Sequence, residues 1–411
     1  MSQPVLEIVP LKPAVRSDAP TTLDVLLRIS APAPALNAAR PPVNLGLVLD
    51  RSGSMASAKK LDYAREAAEF AVLQLLPTDR VSITIFDDHI ETIVPNDFAE
   101  RKDRIVSALR GILPRNSTAL HDGWKEGAKQ VGGNLLKGGL NRVILLSDGL
   151  ANVGETNNDV IASAVHRAAR ESVGTTTMGL GDDYNEDLLE AMARSGDGNY
   201  FHIEDSKQLP DIFQTELKGL MATFGRAVEL GLAPQSGVHV ADVLNDFEKT
   251  PQDRYKLANL VAGWPILAVV RLNVPPLAAE SALVRFELKW TQPDGAARNL
   301  AVSFSLPTVP GAAWDALAAN VEVEEKAALL LSARYKKQAT HAIDRGNPAD
   351  AKAWLEKAKA VLSAAPPTAE VNTELAALKQ IEEMLADGET TKFRKHANYQ
   401  AHARRSSRPY S

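Results

Sequence analysis

Five oxygen-bearing side chains occur at points where apolar, strand-like runs end or a helical pattern begins. They are Asp50, Ser52, Ser54, Thr118 and Asp148. The first three follow the apolar residues 45–49, the fourth opens a helical pattern, and the last follows the strand-like run 142–147. Loops at the carboxyl ends of neighbouring parallel strands converge on one crevice, so the five side chains are predicted to surround one point.

This set favours a hard divalent cation, because every member offers oxygen and none offers nitrogen or sulfur. The hydroxyl groups of Ser52, Ser54 and Thr118 suit the short octahedral distances of Mg²⁺. Asp50 and Asp148 can hold its waters or bind it directly. Mg²⁺ is the first prediction, and Mn²⁺ or Ca²⁺ could replace it. Since neutral hydroxyls leave the cation incompletely neutralised, the chemistry favours capture of a partner's carboxylate over catalysis.

The elements that position these residues alternate between strand and helix. Strand-like runs occur at residues 43–49, 81–86, 142–147, 173–180 and 199–203, with residues 90–94 as an edge strand. Helical periodicity lies between them: Leu61, Ala64 and Ala68 share one face of a helix that Pro77 ends. The alternation predicts an α/β fold with a doubly wound, mostly parallel sheet over residues 43–225.

The Asp50-x-Ser52-x-Ser54 loop, the separate Thr118 and the Asp148-Gly149 pair resemble the metal-ion-dependent adhesion site of a von Willebrand factor type A domain. All five motif positions are occupied in the family's order and spacing. Segments 179–185 and 196–200 also resemble later parts of bacterial members of the family. The resemblance covers residues 43–225 and implies metal-dependent protein binding, with an Asp or Glu of the partner completing the coordination of the cation.

The wrapping of this domain between β segments is similar to that in bacterial relatives of the inter-alpha-trypsin inhibitor heavy chains. Bacterial members often act as adaptors for AAA+ ATPases or in signalling operons. The resemblance therefore implies a protein partner of one of these two kinds, without naming it.

The flanking sequence predicts four further segments. Residues 1–42 form an N-terminal β segment that pairs with residues 226–307 in a β-sandwich, into which the α/β domain is inserted. Residues 282–290 alternate apolar and charged side chains, as half-buried antiparallel strands do. Residues 308–387 predict a helical bundle. The basic stretch 388–411, with few aliphatic residues, predicts a flexible tail.

Composition narrows the function classes. The 411 residues carry a net charge of only −5, which argues against a nucleic-acid binder. The chain has no cysteine, which excludes disulfides and thiolate sites and fits a reducing cytoplasm. The N-terminus lacks the pattern of a secretory signal, and the most apolar stretch, 257–272, is too short to span a membrane. We expect a cytoplasmic protein that is not an enzyme.

Two alternatives stay open. A strand-end aspartate also occurs in haloacid dehalogenase-like phosphatases, but there a second acid follows two positions later, where this chain has Ser52. The other is a scaffold subunit that leaves its metal site unused and binds through its helices and basic tail. Nucleotide-binding glycine motifs are absent from the first strand-to-helix turn.

Some polar residues near the predicted crevice are expected to have structural roles. Residues 87–89 predict a polar turn, and Asp182 and Asp183 predict a loop that leads into a helix. His121 is expected to pack or face solvent, and Trp124 to join the core.

Overall fold

The computed structural model describes residues 3–33, 40–115 and 117–407. The strands are β1 (Val5–Pro10), β2 (Val15–Arg16), β3 (Thr21–Ser30), β4 (Val43–Asp50), β5 (Arg80–Phe86), β6 (Ile90–Phe98), β7 (Leu140–Ser147), β8 (Val173–Leu180), β9 (Tyr200–Ile203), β10 (Thr223–Pro234), β11 (His239–Val243), β12 (Tyr255–Leu257), β13 (Leu260–Val261), β14 (Ile266–Val274), β15 (Ser281–Thr291), β16 (Ala297–Leu306) and β17 (Thr308–Val309).

The helices are α1 (Lys60–Gln74), α2 (Lys102–Arg110), α3 (Leu120–Gly132), α4 (Asn158–Arg170), α5 (Glu186–Ser195), α6 (Leu209–Met221), α7 (Gly311–Asp315), α8 (Val321–Asp344), α9 (Pro348–Ala364), α10 (Ala369–Ala386) and α11 (Thr390–Ser406). Two short 3-10 turns, Gly53–Lys59 and Ser206–Gln208, precede α1 and α6. The chain divides into two compact units. The α/β unit holds residues 34–223 and 292–296, and the second unit holds the remainder.

The α/β unit is built on a six-stranded sheet with the order β6-β5-β4-β7-β8-β9. Its strands are parallel except β6, which pairs antiparallel with β5 at one edge. Every residue of the two central strands, β4 and β7, is buried. Their nearly continuous apolar sequence is what a strand covered on both faces requires.

Helices cover both faces of this sheet. On one face, Leu45, Leu47 and Leu49 of β4 share a core with residues of α1, α2 and α6. On the other face α3 approaches very closely, since a Cβ atom added to Gly127 would lie 2.2 Å from Cγ2 of Val48. Glycine at this position lets α3 lie directly on β4. The loop that begins α3 is thereby brought to the end of the central strands.

The second unit contains two antiparallel sheets, ordered β1-β3-β14-β11 and β12-β10-β15-β16, with β13 paired to β10. Side chains of both sheets meet in one core that includes Leu27, Val270, Phe286 and Leu288. N-terminal strand β3 pairs with β14 along its length. Along β15, Phe286, Leu288 and Trp290 are buried, whereas Arg285 and Lys289 between and before them are exposed. This alternation places one face of the strand in the core.

Four long helices, α8 to α11, complete the second unit. Val323 and Leu330 of α8 pack on Leu26 and Val269 of the first sheet. Farther along, α8 joins α9, α10 and α11 around a second apolar core. Residues on this core include Leu329, Leu355, Leu378, Ile381 and Phe393.

The prediction of a flexible basic tail is wrong for residues 390–406, which form α11. Phe393, Ala397 and Ala401 are buried at four-residue spacing, a narrow apolar stripe that composition alone conceals. The basic residues of α11 form ion pairs within the bundle, such as Arg404 with Glu374. Residues 408–411 of the predicted tail, including Arg408, lie outside the described residues.

The predicted fold class is confirmed: a doubly wound, mostly parallel sheet is inserted between strands of a β-sandwich and followed by a helical region. Within the three described ranges, no helix combines the length and apolar character needed to cross a membrane.

Candidate metal-binding site

The central strands end at the same level of the sheet. Asp50, the last residue of β4, lies opposite Phe86, the last residue of β5. Leu49 lies opposite Leu146 of β7, so Asp148 leaves the sheet one step beyond the same edge. This carboxyl edge is where open α/β sheets bind their ligands.

Asp50 is fully buried and receives only neutral hydrogen-bond donors. The backbone N–H of Ser52 donates to its Oδ1 at 2.7 Å, and the hydroxyl of Ser147 donates to its Oδ2 at 2.6 Å. Burial raises the pKa of Asp50 from 3.8 to about 6, against the opposing effect of these hydrogen bonds, and the nearby Asp148 carboxylate adds to the increase. The site therefore holds a carboxylate that lacks a compensating cation of its own.

Ser52, Ser54 and Asp148 form a continuous chain of contacts. The hydroxyl oxygens of Ser52 and Ser54 lie 3.1 Å apart, and the Ser54 hydroxyl donates to Oδ1 of Asp148 at 2.6 Å. On its other oxygen, Asp148 accepts a hydrogen bond from Nζ of Lys60 at 2.7 Å. Asp148 is completely buried whereas Ser54 is exposed, so the chain runs from the interior to the surface.

Thr118 reaches the same place from the loop before α3. Its N–H donates to Oδ1 of Asn152 at 3.0 Å, and the N–H of Asn152 donates to the Thr118 carbonyl at 3.2 Å. A Cβ atom added to Gly149 would lie 3.2 Å from Oγ1 of Thr118 and 3.9 Å from Oγ of Ser54. Both hydroxyls therefore border Gly149, and the absence of a side chain there leaves them room.

The structure thus brings all five predicted residues to one edge of the sheet. Three hydroxyls surround two buried carboxylates, of which one has an ammonium partner. Oxygen donors of this kind fit a hard divalent cation, and the excess negative charge in a buried place is what such a cation would neutralise.

Comparison with known proteins identifies the fold unit that carries this edge. The sequence model of the von Willebrand factor type A domain matches residues 44–215. Residues 44–215 form a von Willebrand factor type A domain. Domains of this family are usually protein-interaction or adhesion modules, and they commonly bind a divalent metal ion.

Three relatives match this chain over different lengths. Over 317 residues it is 26% identical to "Uncharacterized protein sll0103" of Synechocystis, covering 72% of each chain. It is 27% identical over 190 residues to "Uncharacterized protein YfbK" of Escherichia coli, of which it covers only 33%. The human inter-alpha-trypsin inhibitor heavy chain H4 is 30% identical over 186 residues, which are 20% of that protein.

Two solved structures share the fold over most of both chains. A von Willebrand factor type A protein from Catenulispora acidiphila superposes with a TM-score of 0.69 at 16% identity, covering 92% of this chain and 90% of that one. The ArnB paralog VWA2 from Sulfolobus acidocaldarius gives 0.61 at 16% identity, with coverages of 98% and 99%. The von Willebrand factor type A domain and its flanking units therefore recur together as a fold.

Two contributors to the edge of the von Willebrand factor type A domain are not among the predicted residues. Ser147, the last residue of β7, bonds Asp50, and Lys60, the first residue of α1, bonds Asp148. Ser147 could have been found as the polar end of an apolar strand. Lys60 carried no such signal, because a lysine at the start of a helix ordinarily faces solvent.

Asp87 proves to be more than part of a polar turn. It is buried, with Oδ2 3.1 Å from Nε of Arg51 and 3.3 Å from Nε of Arg115. Its carbonyl accepts the N–H of Ala119 at 2.7 Å. Asp87 therefore ties the loop of Arg51 to the loop of Thr118 and fixes the two halves of the site relative to each other.

The remaining neighbours have the ordinary roles expected of them. Trp124 is buried and its indole N–H donates to the hydroxyl of Thr175 at 3.1 Å. His121 stacks on Trp124, and burial lowers its pKa. Asp182 and Asp183 are exposed.

Proposed function

We propose that the von Willebrand factor type A domain is a metal-dependent protein-binding module. Ser52, Ser54 and Thr118 would ligate a divalent cation, Mg²⁺ in the first place, with Mn²⁺ or Ca²⁺ as substitutes. Asp50 and Asp148 would hold its waters and offset its charge. When bound, the cation supplies an open coordination position for a carboxylate oxygen from an Asp or Glu of a partner protein.

One observation carries the proposal: Ser52 and Ser54 connect two buried carboxylates to the protein surface. Ser52 donates its backbone N–H to Asp50, its hydroxyl lies beside that of Ser54, and Ser54 donates to Asp148. The proposed direct ligands are neutral hydroxyls, so the cation would attract an anion at its open coordination position. The five residues would hold the cation and orient its open coordination position, so the proposed role is binding rather than catalysis.

The surface beside the site supports a protein as the partner. Leu150 follows Gly149 directly and its loop is bonded to Thr118 through Asn152, yet Leu150 is 57% exposed. Leu113, two residues before Arg115, is 68% exposed. The N–H of Arg115 donates to the carbonyl of Arg51 at 2.7 Å, which holds this second loop at the same edge. Exposed leucines beside the site would supply apolar contact area to a protein partner.

The proposal extends to the setting of this binding. We propose an adaptor in the bacterial cytoplasm whose partner is an AAA+ ATPase or a signalling protein. Support for this part comes from the family resemblance and from a chain without cysteines. The alternative of binding through a basic tail loses its premise, because Arg404 of that segment pairs with Glu370 and Glu374.

Titration calorimetry with Mg²⁺ and Mn²⁺ tests the metal site. The full chain should bind one cation, and Thr118→Val should bind it more weakly, while the adjacent Ser117→Ala serves as the matched control. Capture of a partner from the source cell should require Mg²⁺ and be lost with Asp50→Ala. Equal capture in chelator, or equal capture by Asp50→Ala, would show that the partner does not use this site.

A further inference from the structure

Lys60 is built into the edge of the von Willebrand factor type A domain rather than extended into solvent. Its Nζ lies 2.7 Å from Oδ2 of the buried Asp148, and only 14% of its side chain is exposed. Nζ also lies next to the β8 end, because a Cβ atom added to Gly181 would be 3.4 Å from it. The ammonium group is thus enclosed between two strand ends.

The backbone before Lys60 supports this placement. Ala58 and Lys59 have φ angles of +50° and +56°, in the left-handed region that side chains other than glycine rarely adopt. The carbonyl of Ala58 accepts a hydrogen bond from the Ser206 hydroxyl at 3.1 Å. A chain held in this unusual conformation and fixed from a second element directs Lys60 toward Asp148.

We infer that Lys60 sets the charge of the metal site and thereby its preference for an anionic ligand. The inference rests on the proposed function. Asp50 and Asp148 with Lys60 leave one excess negative charge in the metal-free site. Addition of a divalent cation converts this into one excess positive charge, which is offered to a carboxylate. Without Lys60 the loaded site would be neutral.

The charge of Lys60 has two opposite effects on binding at the site. The ammonium of Lys60 repels the incoming cation, so it lowers the affinity of the site for metal. The same ammonium attracts an incoming carboxylate, so it raises the affinity of the loaded site for an acidic ligand. Both effects act at short range in a largely buried place, where water screens them poorly. An uncharged side chain that tied α1 to the sheet equally well would produce neither effect.

The experiment compares the full chain with Lys60→Met, using Lys59→Met as the matched control. Lys59 is exposed and adjacent, so its replacement removes one ammonium from the same loop without touching Asp148. Mn²⁺ affinity is measured by calorimetry, and acetate is then titrated into the Mn²⁺-loaded protein and followed by electron paramagnetic resonance. Lys60→Met should bind Mn²⁺ about tenfold more tightly and acetate about tenfold more weakly. Lys59→Met should match the unaltered chain in both measurements.

Two further variants separate charge from structure. Lys60→Arg keeps the charge and should leave both affinities near those of the unaltered chain. Lys60→Gln keeps a hydrogen-bond donor for Asp148 without the charge and should behave as Lys60→Met does. If the methionine and glutamine variants fail to fold even with Mn²⁺ while Lys60→Arg folds, the lysine is a structural tie and the inference is overturned.

The outcomes also distinguish this inference from the proposed function. Failure of the unaltered chain to bind Mn²⁺ or Mg²⁺ would contradict the proposed function itself. Binding by the unaltered chain, with equal or weaker Mn²⁺ affinity in Lys60→Met, would leave the metal site standing and remove only the role of Lys60.

Discussion

Two regions of the molecule bury a lysine against a carboxylate, and they complete the pair differently. In the helical bundle, Nζ of Lys336 donates to Oε1 of Glu374 at 2.5 Å and to Oε1 of Gln400 at 2.7 Å. The second oxygen of Glu374 accepts a hydrogen bond from Nε of Arg404 at 3.0 Å. At the sheet edge, Lys60 bonds Asp148, but the neighbouring Asp50 receives only neutral donors.

The difference separates a structural cluster from a binding site. Desolvation of a charge is offset only when partners inside the protein compensate for it. Glu374 has cationic donors on both oxygens, so the bundle needs nothing from outside. Asp50 lacks such a donor, and its pKa is raised to about 6 because burial makes its charged form unfavourable. Changes in the bundle should therefore alter stability alone, and changes at the edge should alter the response to metal.

The largest expected effect is in the bundle. Glu374→Leu leaves the ammonium of Lys336, which is completely buried, without its carboxylate partner. Removal of one member of a buried ion pair typically costs about 3–5 kcal/mol. We expect a loss of this size in the free energy of unfolding of the second unit, measured by urea denaturation, with and without Mg²⁺ alike.

The exposed pair Lys379–Glu383 on α10 provides the control for this variant. Both side chains are more than half exposed, and Glu383→Leu should change stability by less than about 0.5 kcal/mol. A loss for Glu374→Leu that shrinks when Mg²⁺ is added would contradict the division between the two regions.

The next effect concerns Asp50 in the metal-free protein. Asp50→Asn should abolish Mg²⁺ binding and yet stabilise the α/β unit by about 3 kcal/mol at neutral pH in chelator. The asparagine carries no charge to desolvate, and it can still accept from the Ser52 N–H and donate to the Ser147 oxygen. Chemical denaturation in chelator at several pH values measures the change.

The pH dependence follows from the sign of the shift. Since the pKa of Asp50 is raised in the folded protein, the folded state binds the proton more tightly than the unfolded state does. This contribution to stability is complete below about pH 4 and is lost as the pH rises through about 6. Asp50→Asn should remove that decline. If stability still declines through about pH 6 in the variant, a group other than Asp50 causes the decline.

A smaller effect is expected at Thr118. Thr118→Val replaces the hydroxyl by a methyl group of similar size and should lower Mg²⁺ affinity about tenfold, the effect of losing about 1.4 kcal/mol. The free energy of unfolding in chelator should stay within about 1 kcal/mol of the original value, because the loop is held by its backbone bonds to Asn152. Unchanged Mg²⁺ affinity would exclude the hydroxyl as a ligand.

The sequence was a good guide to the sheet edge for a physical reason. Buried parallel strands require apolar runs, and each run ends where the strand leaves the sheet. Asp50 and Asp148 therefore mark its carboxyl edge, although both are buried. Thr118 could be joined to them because loops at neighbouring strand ends converge. The fold class followed from the same alternation of strand and helix.

Contacts that depend on tertiary geometry could not be predicted in this way. Lys60 bonds Asp148 after two residues with left-handed backbone angles, which nothing in their side chains requires. The helix α11 was missed since its buried stripe consists mainly of alanine, whose presence in a basic segment has no clear periodic signal. Its packing depends on partners such as Glu374 that lie on other helices.

The smallest effect on the protein itself is expected at the exposed rim of the site. Leu150→Ser should leave the free energy of unfolding within about 0.5 kcal/mol and Mg²⁺ affinity unchanged, because the side chain is 57% exposed and holds no ligand. Mg²⁺-dependent capture of the partner should nevertheless weaken about tenfold, as loss of one leucine from an interface does. Leu135, 42% exposed in the loop between α3 and β7, lies at the opposite edge of the sheet and supplies the control variant Leu135→Ser. Equal capture by both variants would mean that the partner contacts the metal site without using its apolar rim. The sheet edge would then differ from the helical bundle in its charges alone.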